Sequence, residues 1–262
     1  MTRIPKCLVA LILCAPLAGW PAAAEETADL AAWTETFDSE AALDHNWNYY
    51  GYLSERGTTG AREQRARWWQ VVDGQLQGNI QPGVHPSGIG RNVTGTDVRL
   101  AFRFKLPPQG LVSCSLRGDN PIVEKNFAVM SLHVRPTGVA ACDNTTLHPK
   151  ESPQAAQLKA EGGWNRRFIG NAKVAPLTIA EDVWHELVME ARGREQRVLL
   201  DGREVLTYTT LAGDTPKTSV GLGLGSSAKE VVHGFIDDVT FGPLDAIPPA
   251  TGRAAVGSAT DR

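Results

Sequence analysis

Trp68-Trp69-Gln70-Val71-Val72-Asp73-Gly74-Gln75-Leu76 reads as a strand, a two-residue turn and the opening of a second strand. Asp-Gly between apolar residues favours a type I′ hairpin, because Gly accepts positive φ and Asp tolerates it. Trp69 and Val71 lie two residues apart and so share one strand face, with Leu76 across the turn to pack on them. The same grammar recurs downstream. Val98, Leu100, Phe102, Phe104 and Leu106 alternate with Arg99, Ala101, Arg103 and Lys105 until Pro107-Pro108 ends the run. A strict period of two predicts a strand with one core face and one wet face. Leu111–Gly118 and Phe127–Arg135 repeat the pattern, with Ser113, Ser115, Arg117, Ser131, His133 and Arg135 pointing outward. Trp184–Ala191 is a further strand, 197–209 a second Asp-Gly hairpin about Asp201-Gly202, and Phe235–Phe241 a closing strand. In Val220–Gly225 large apolar residues alternate with Gly, so something should approach the glycine face closely. Many short strands with almost no helix predict an all-β fold, an antiparallel β-sandwich or jelly roll. The remaining segments (39–67, Gln81–Thr96 and 143–173) read as loops, with one helical turn around 155–161.

Composition bounds the function. The 262 residues carry a net charge of -3 and 21% charged residues. That is neither a disordered polyelectrolyte nor a general nucleic-acid binder, and no nucleic-acid partner is expected. Arg3 and Lys6 precede an apolar run from Cys7 to Trp20, then Pro21-Ala22-Ala23-Ala24. This is the order of a secretory signal peptide over residues 1–24, and the run is too short for a comfortable membrane span. Cys14 follows Leu13 where a lipidation signal would have a small residue. The expectation is a periplasmic or secreted protein, not inserted in a membrane after cleavage, with one domain over 25–243. Residues 244–262, rich in Pro, Ala and Gly, read as a disordered tail. After cleavage Cys114 and Cys142 remain. Export favours a disulfide. Simple hairpin registers instead place the two on strands separated by a third, about 9–10 Å apart, beyond the ~7 Å reach of a disulfide. Both readings stand.

Several of these segments together resemble the 3-keto-disaccharide hydrolase family of exported bacterial domains. The residues that carry it are W-x-V-x-D-G-x-L at Trp69–Leu76, V-x-L-x-F-x-F at 98–104, W-H-x-L at Trp184–Leu187, L-D-G-R-E-V at 200–205 and F-I-D-D-V at 235–239. The resemblance spans roughly residues 33–243. It implies a concanavalin/laminin-G-like jelly roll that hydrolyses oxidised (3-keto) glycosides, with an oligosaccharide or oxidised glycoside as partner. Arg117 matches a family-like polar position. Gln109-Gly110-Leu111 stands where the family has N-S-G, and Ser131 and His133 stand where it has Glu and Gln.

If the strands at 99–105, 113–117 and 131–135 are neighbours, their wet faces form one basic surface suited to an oxygen-rich or anionic ligand. His133 at its centre is the candidate acid–base group and Arg117 its catalytic companion. Arg99, Arg103, Ser115, Ser131 and Arg135 would bind sugar. Trp47 and Tyr50, in the aromatic cluster Trp47–Tyr52, would offer a stacking platform or else pack over the core edge. A conventional glycosidase needs two carboxylates about 5–10 Å apart, and no strand presents such a pair: Glu186 and Glu190 are about 13 Å apart along one strand. Asp237-Asp238 would suit a divalent metal such as Ca²⁺ or would cap a strand end. The expected function is an exported glycoside hydrolase of the 3-keto type. A non-catalytic carbohydrate-binding module is the alternative.

Overall fold

The computed structural model describes residues 32–50, 68–82, 87–120, 125–142 and 172–246. The expected leader (1–24), the helical turn at 155–161 and the tail from 247 onward lie outside them. The described chain runs β1 (Trp33–Glu35), α1 (Glu40–Asn46), β2 (Asn48–Tyr50), β3 (Trp69–Val72), β4 (Gln75–Ile80), β5 (Ser87–Gly95), β6 (Val98–Lys105) and β7 (Gly110–Asn120). It continues with β8 (Lys125–Arg135), β9 (Gly138–Cys142), β10 (Ala172–Pro176), β11 (Trp184–Arg192), β12 (Glu195–Leu200), β13 (Arg203–Thr209), β14 (Lys217–Ser226) and β15 (Val232–Pro243). Two antiparallel sheets result. The eight-stranded sheet has the order β13-β12-β11-β6-β15-β4-β3, with β1 also on β15, and the seven-stranded sheet the order β10-β9-β8-β7-β14-β5-β2. The fold is a jelly-roll β-sandwich, as the alternation predicts. No helix among the described residues is long and apolar enough to cross a membrane.

Both Asp-Gly turns have the backbone their residues call for. Asp73 and Gly74 have φ of 52° and 69°, Asp201 and Gly202 of 50° and 74°, so both central residues are left-handed as a type I′ turn requires. Trp69, Leu76, Leu100, Phe102 and Phe104 are buried between the sheets with Leu116, Leu132 and Leu222 from the other side. At about 1.5–3 kcal/mol for each fully buried large side chain, this apolar layer is the main source of stability.

Two local expectations change, and the open choice at the cysteines falls to free thiols. Residues 40–46 form α1, whose N-cap Ser39 accepts a hydrogen bond from Ala42 N at 3.2 Å and which buries Leu43. Gln81–Thr96 is not all loop: Ser87–Gly95 is β5, glycine-rich because it lies beside the glycine-rich β14, Gly88 opposite Gly223 and Gly90 opposite Gly221. Cys114 and Cys142 are both buried free thiols. Cys114 pairs in register with Leu132, whereas Cys142 pairs with Ser131. The thiols therefore sit on opposite faces of the seven-stranded sheet, one in the core and one outside it. Burial raises the Cys114 thiol far above its usual range.

Candidate functional site

The outer face of the seven-stranded sheet is built from register. One row across it reads Gly88, Gly223, Ser113, His133 and Ala140; the next reads Gly90, Gly221, Ser115, Ser131 and Cys142. A third row holds Asn92, Ser219, Arg117 and Ala128, the extra residue Val129 in β8 having turned Ala128 to the face of Arg117. The floor is thus small side chains on β5, β7 and β14, with larger polar groups on β7 and β8. A Cβ added to Gly221 would lie 2.9 Å from Ser115 Oγ, so the floor has no room for a side chain there unless Ser115 moves. The Ser113 hydroxyl donates to Gly223 O at 3.4 Å, and the Arg117 guanidinium lies 5.7 Å from the Phe127 ring centre.

His133 is half-buried at the middle of this face. Its imidazole is pushed down to about 4, by burial first and then by the Arg135 charge two residues along the strand. It is therefore neutral at physiological pH, an acceptor or base rather than a ready acid. Burial also lowers the proton affinity of Arg135. Arg117 and Arg135 stand near opposite ends of the face, about 20 Å apart along the strands. Among the described strand residues Asp119, exposed beyond Arg117 on β7, is the one carboxylate on this face. The face can orient hydroxyls and stabilise an oxyanion, but its described residues do not include the carboxylate pair of ordinary glycoside hydrolysis.

The single basic surface expected from sequence does not form. Arg117, Ser115, Ser131, His133 and Arg135 do come together, but Arg99 and Arg103 belong to β6, in the opposite sheet between β11 and β15. Both groups point outward, in opposite directions. Arg99 is moreover buried in an ion pair with Glu190, which also accepts from Arg197 at 3.2 Å. Arg103 pairs with Asp238 at 3.2 Å. Trp47 is no sugar platform either. It is 7% exposed, its indole donates to Glu35 at 3.3 Å, and its ring packs edge-on against Trp33 and at a tilt against Phe37. Glu35 is a buried hub that also accepts from Phe37 N and Asn46 and faces Arg91, tying β1, α1 and β5 together. Tyr50 pairs with Gly88 through its backbone, on the edge strand of the seven-stranded sheet.

Asp237 and Asp238 do not cap a strand end. They form a bulge in the middle of β15, where Asp238 takes φ of 48° and Asp237 accepts from Asp238 N at 2.8 Å. With the Arg103 guanidinium already on Asp238, the pair does not fit a Ca²⁺ site. Among the described residues no group of three or more His, Cys, Asp or Glu is placed to hold a metal ion.

Sequence inspection did not foresee Gly88, Gly90, Ser219 or Cys142 on the outer face. The available signal was the glycine alternation at 220–225, which announced a close approach without saying to what.

No family model and no curated protein matches the chain. Solved structures match by fold. A sialidase superposes with TM-score 0.53 at 12% identity, over 83% of this chain and 19% of its own. A GlcNAcα1-4Gal-releasing endo-β-galactosidase from Clostridium perfringens gives 0.55 at 12%, over 83% and 63%. SCLam, a non-specific endo-β-1,3(4)-glucanase from family GH16, gives 0.53 at 15%, over 82% and 91%. The chain thus spans about a fifth of the sialidase and under two thirds of the endo-β-galactosidase. The likeness is one of architecture, the concanavalin-like jelly roll.

Proposed function

We propose that this chain is an exported carbohydrate-active protein that takes its ligand on the outer face of the seven-stranded sheet, as a hydrolase of 3-keto-glycosides. The observation that carries the reading is a neutral His133 on a Ser/Gly floor flanked by Arg117 and Arg135, with no carboxylate pair beside it among the described residues. A ketone at C3 acidifies the C2–H, so the glycosidic bond of such a sugar can break without that pair. His133 would take the C2 proton to leave an enolate, whose electron pair would form C1=C2 as the C1–O bond breaks, and the imidazolium would return its proton to the departing oxygen to release the aglycone. Water then adds across C1=C2, completing hydrolysis. Arg135, two residues along the same strand, would stabilise the enolate oxygen, and Arg117 would hold the outer sugar. The fold neighbours named for glycan cleavage agree with carbohydrate as the ligand class, and the residues from Arg3 to Ala24 with export.

The lack of paired carboxylates among the described residues of this face also favours a second reading, a non-catalytic carbohydrate-binding module. Incubation with 3-keto-trehalose and measurement of free glucose separates the two. The enzyme reading expects release that H133A lowers by about 10²-fold or more and R117A lowers mainly through KM. No release by the wild type, with oligosaccharide still bound, leaves the module. Sequencing the N-terminus of the exported form tests cleavage after Ala24.

A further inference from the structure

The opposite face of the sandwich carries a second constructed surface. Three adjacent strands, β11, β6 and β15, set side chains in registered rows: Trp184, Lys105 and Phe235 in one, Glu186, Arg103 and Asp237 in the next. The rows are about 7 Å apart along the strands. Both aromatic rings are half-buried, and Lys105 Nζ lies between them, 5.0 Å from the Trp184 ring centre and 5.3 Å from that of Phe235. The Arg103 guanidinium also approaches the Trp184 ring, at 4.7 Å, while it pairs with Asp238. Toward the other end of β6 the face is closed by the Arg99–Glu190–Arg197 ion pairs. At the Trp184 end the polar groups are less fully engaged. Glu186 is raised above its ordinary range by burial and by Asp201 and Asp238, and Asp237 is raised chiefly by burial.

The alternation across the strands limits the ligand. Acid, cation and acid stand side by side, so the surface is neither a trap for anions nor one for cations. It is an array of acceptors and donors next to aromatic rings. A pyranose matches that: its C–H face stacks on an aromatic ring while vicinal hydroxyls, each donor and acceptor, reach a carboxylate and a guanidinium together. The spacing lets a ring resting on the aromatic row present its hydroxyls to the charged row. The left-handed Asp238 in the β15 bulge is what places two carboxylates, Asp237 and Asp238, beside one arginine.

We infer that Trp184, Phe235, Lys105, Arg103, Glu186 and Asp237 form a second glycan-binding surface, for neutral hexopyranose chains, on the sheet opposite His133. The inference rests on the carbohydrate reading of the protein and adds a site to it. A chain held here would keep the enzyme on a polymeric substrate while the other face works on chain ends or fragments.

The test is a titration of 15N-indole-labelled protein with laminarihexaose, a neutral β-glucan oligomer, followed by NMR. W184F assigns the Trp184 indole signal. The expected result is a saturable shift of that signal, unchanged in H133A. F235A and E186Q should each weaken binding at this surface by about tenfold. A Trp184 signal that stays fixed to the solubility limit of the sugar overturns the inference, as does a response to hexagalacturonate or chitosan hexamer without one to laminarihexaose. The two faces fail separately. A silent Trp184 with 3-keto-trehalose turnover intact sinks this surface alone, whereas a responsive Trp184 without turnover sinks the enzyme reading and leaves this surface standing.

Discussion

Protonating His133 should cost the folded protein a measurable share of its stability. The imidazole is half-buried at the centre of the seven-stranded sheet, with its affinity for a proton lowered from the ordinary 6.5 to about 4. Burial is the larger cause and the Arg135 guanidinium the smaller. In the unfolded chain the same group titrates near 6.5. Between those values the unfolded state binds the proton and the folded state does not, so stability rises with pH. The contribution is fully present above about 6.5, falls as pH is lowered toward 4, and is lost below that. At about 1.4 kcal/mol for each tenfold change in proton affinity, the span is worth up to about 3 kcal/mol, and less where water reaches the ring. Carboxylates titrate in the same range, so the quantity to measure is a difference. Urea unfolding of wild type and H133Q, followed by tryptophan fluorescence from pH 4 to 7.5, should give a gap that changes by about 2–3 kcal/mol across the range, in favour of H133Q at the acid end. R135M should narrow the change by removing the second cause. A gap that is constant with pH refutes the reasoning, because it would mean that His133 titrates alike in both states.

Other contacts yield sharper single numbers. Glu190 is 9% exposed and serves Arg99 and Arg197 together, so E190A should destabilise by about 3 kcal/mol in urea unfolding; less than about 1 kcal/mol would mean that water already shares the site. Gly138 has φ of 145°, and a Cβ there would lie 2.3 Å from Ala175 O. G138A should therefore cost about 2–3 kcal/mol and speed hydrogen exchange along β9 and β10. Lys217 is fully buried, its ammonium donating to Thr96 O at 2.7 Å and Gly213 O at 2.5 Å. Burial lowers it to about 8, against the opposing pull of Asp97 and Asp214. Its folded value lies below its unfolded one, so the wild type should gain stability relative to K217M as pH rises from about 8 to 10.5. A relative loss over that interval would overturn the assignment.

How much of this was readable in the chain depended on the range over which each signal acts. The β6 alternation and the two Asp-Gly turns are local and strong, and each appears where the residues put it. β5 was hidden because Ser87–Gly95 is poor in the branched and aromatic residues that mark strands. What makes it a strand is β14 alongside, whose glycines leave room for a close neighbour. α1 was missed for the opposite reason: Ser39 is a good N-cap, but seven residues with one buried leucine leave little helical periodicity to detect. Trp47 stayed open between a platform and a packed residue because its partner, Glu35, is twelve residues away and its burial depends on α1 turning the chain back.

The division of the arginines shows the limit of periodicity most clearly. A period of two sorts residues into core-facing and water-facing, and it did so correctly for Arg103, Arg117 and Arg135 alike. It carries no information on which sheet a strand joins, and in a sandwich the two water-facing directions are opposite. Pro107-Pro108 is where that choice is made: β6 before it lies in one sheet and β7 after it in the other. One imagined basic surface is therefore two real ones of different chemistry. On the β7–β8 side a nearly acid-free floor isolates a neutral histidine. On the β6 side Arg99 meets Glu190 of β11 and Arg103 meets Asp238 of β15, so that face offers balanced hydrogen bonding where the other offers unbalanced positive charge. Distinct ligands, or distinct parts of one glycan, follow from that difference, and variants on one face should leave the other face's binding intact.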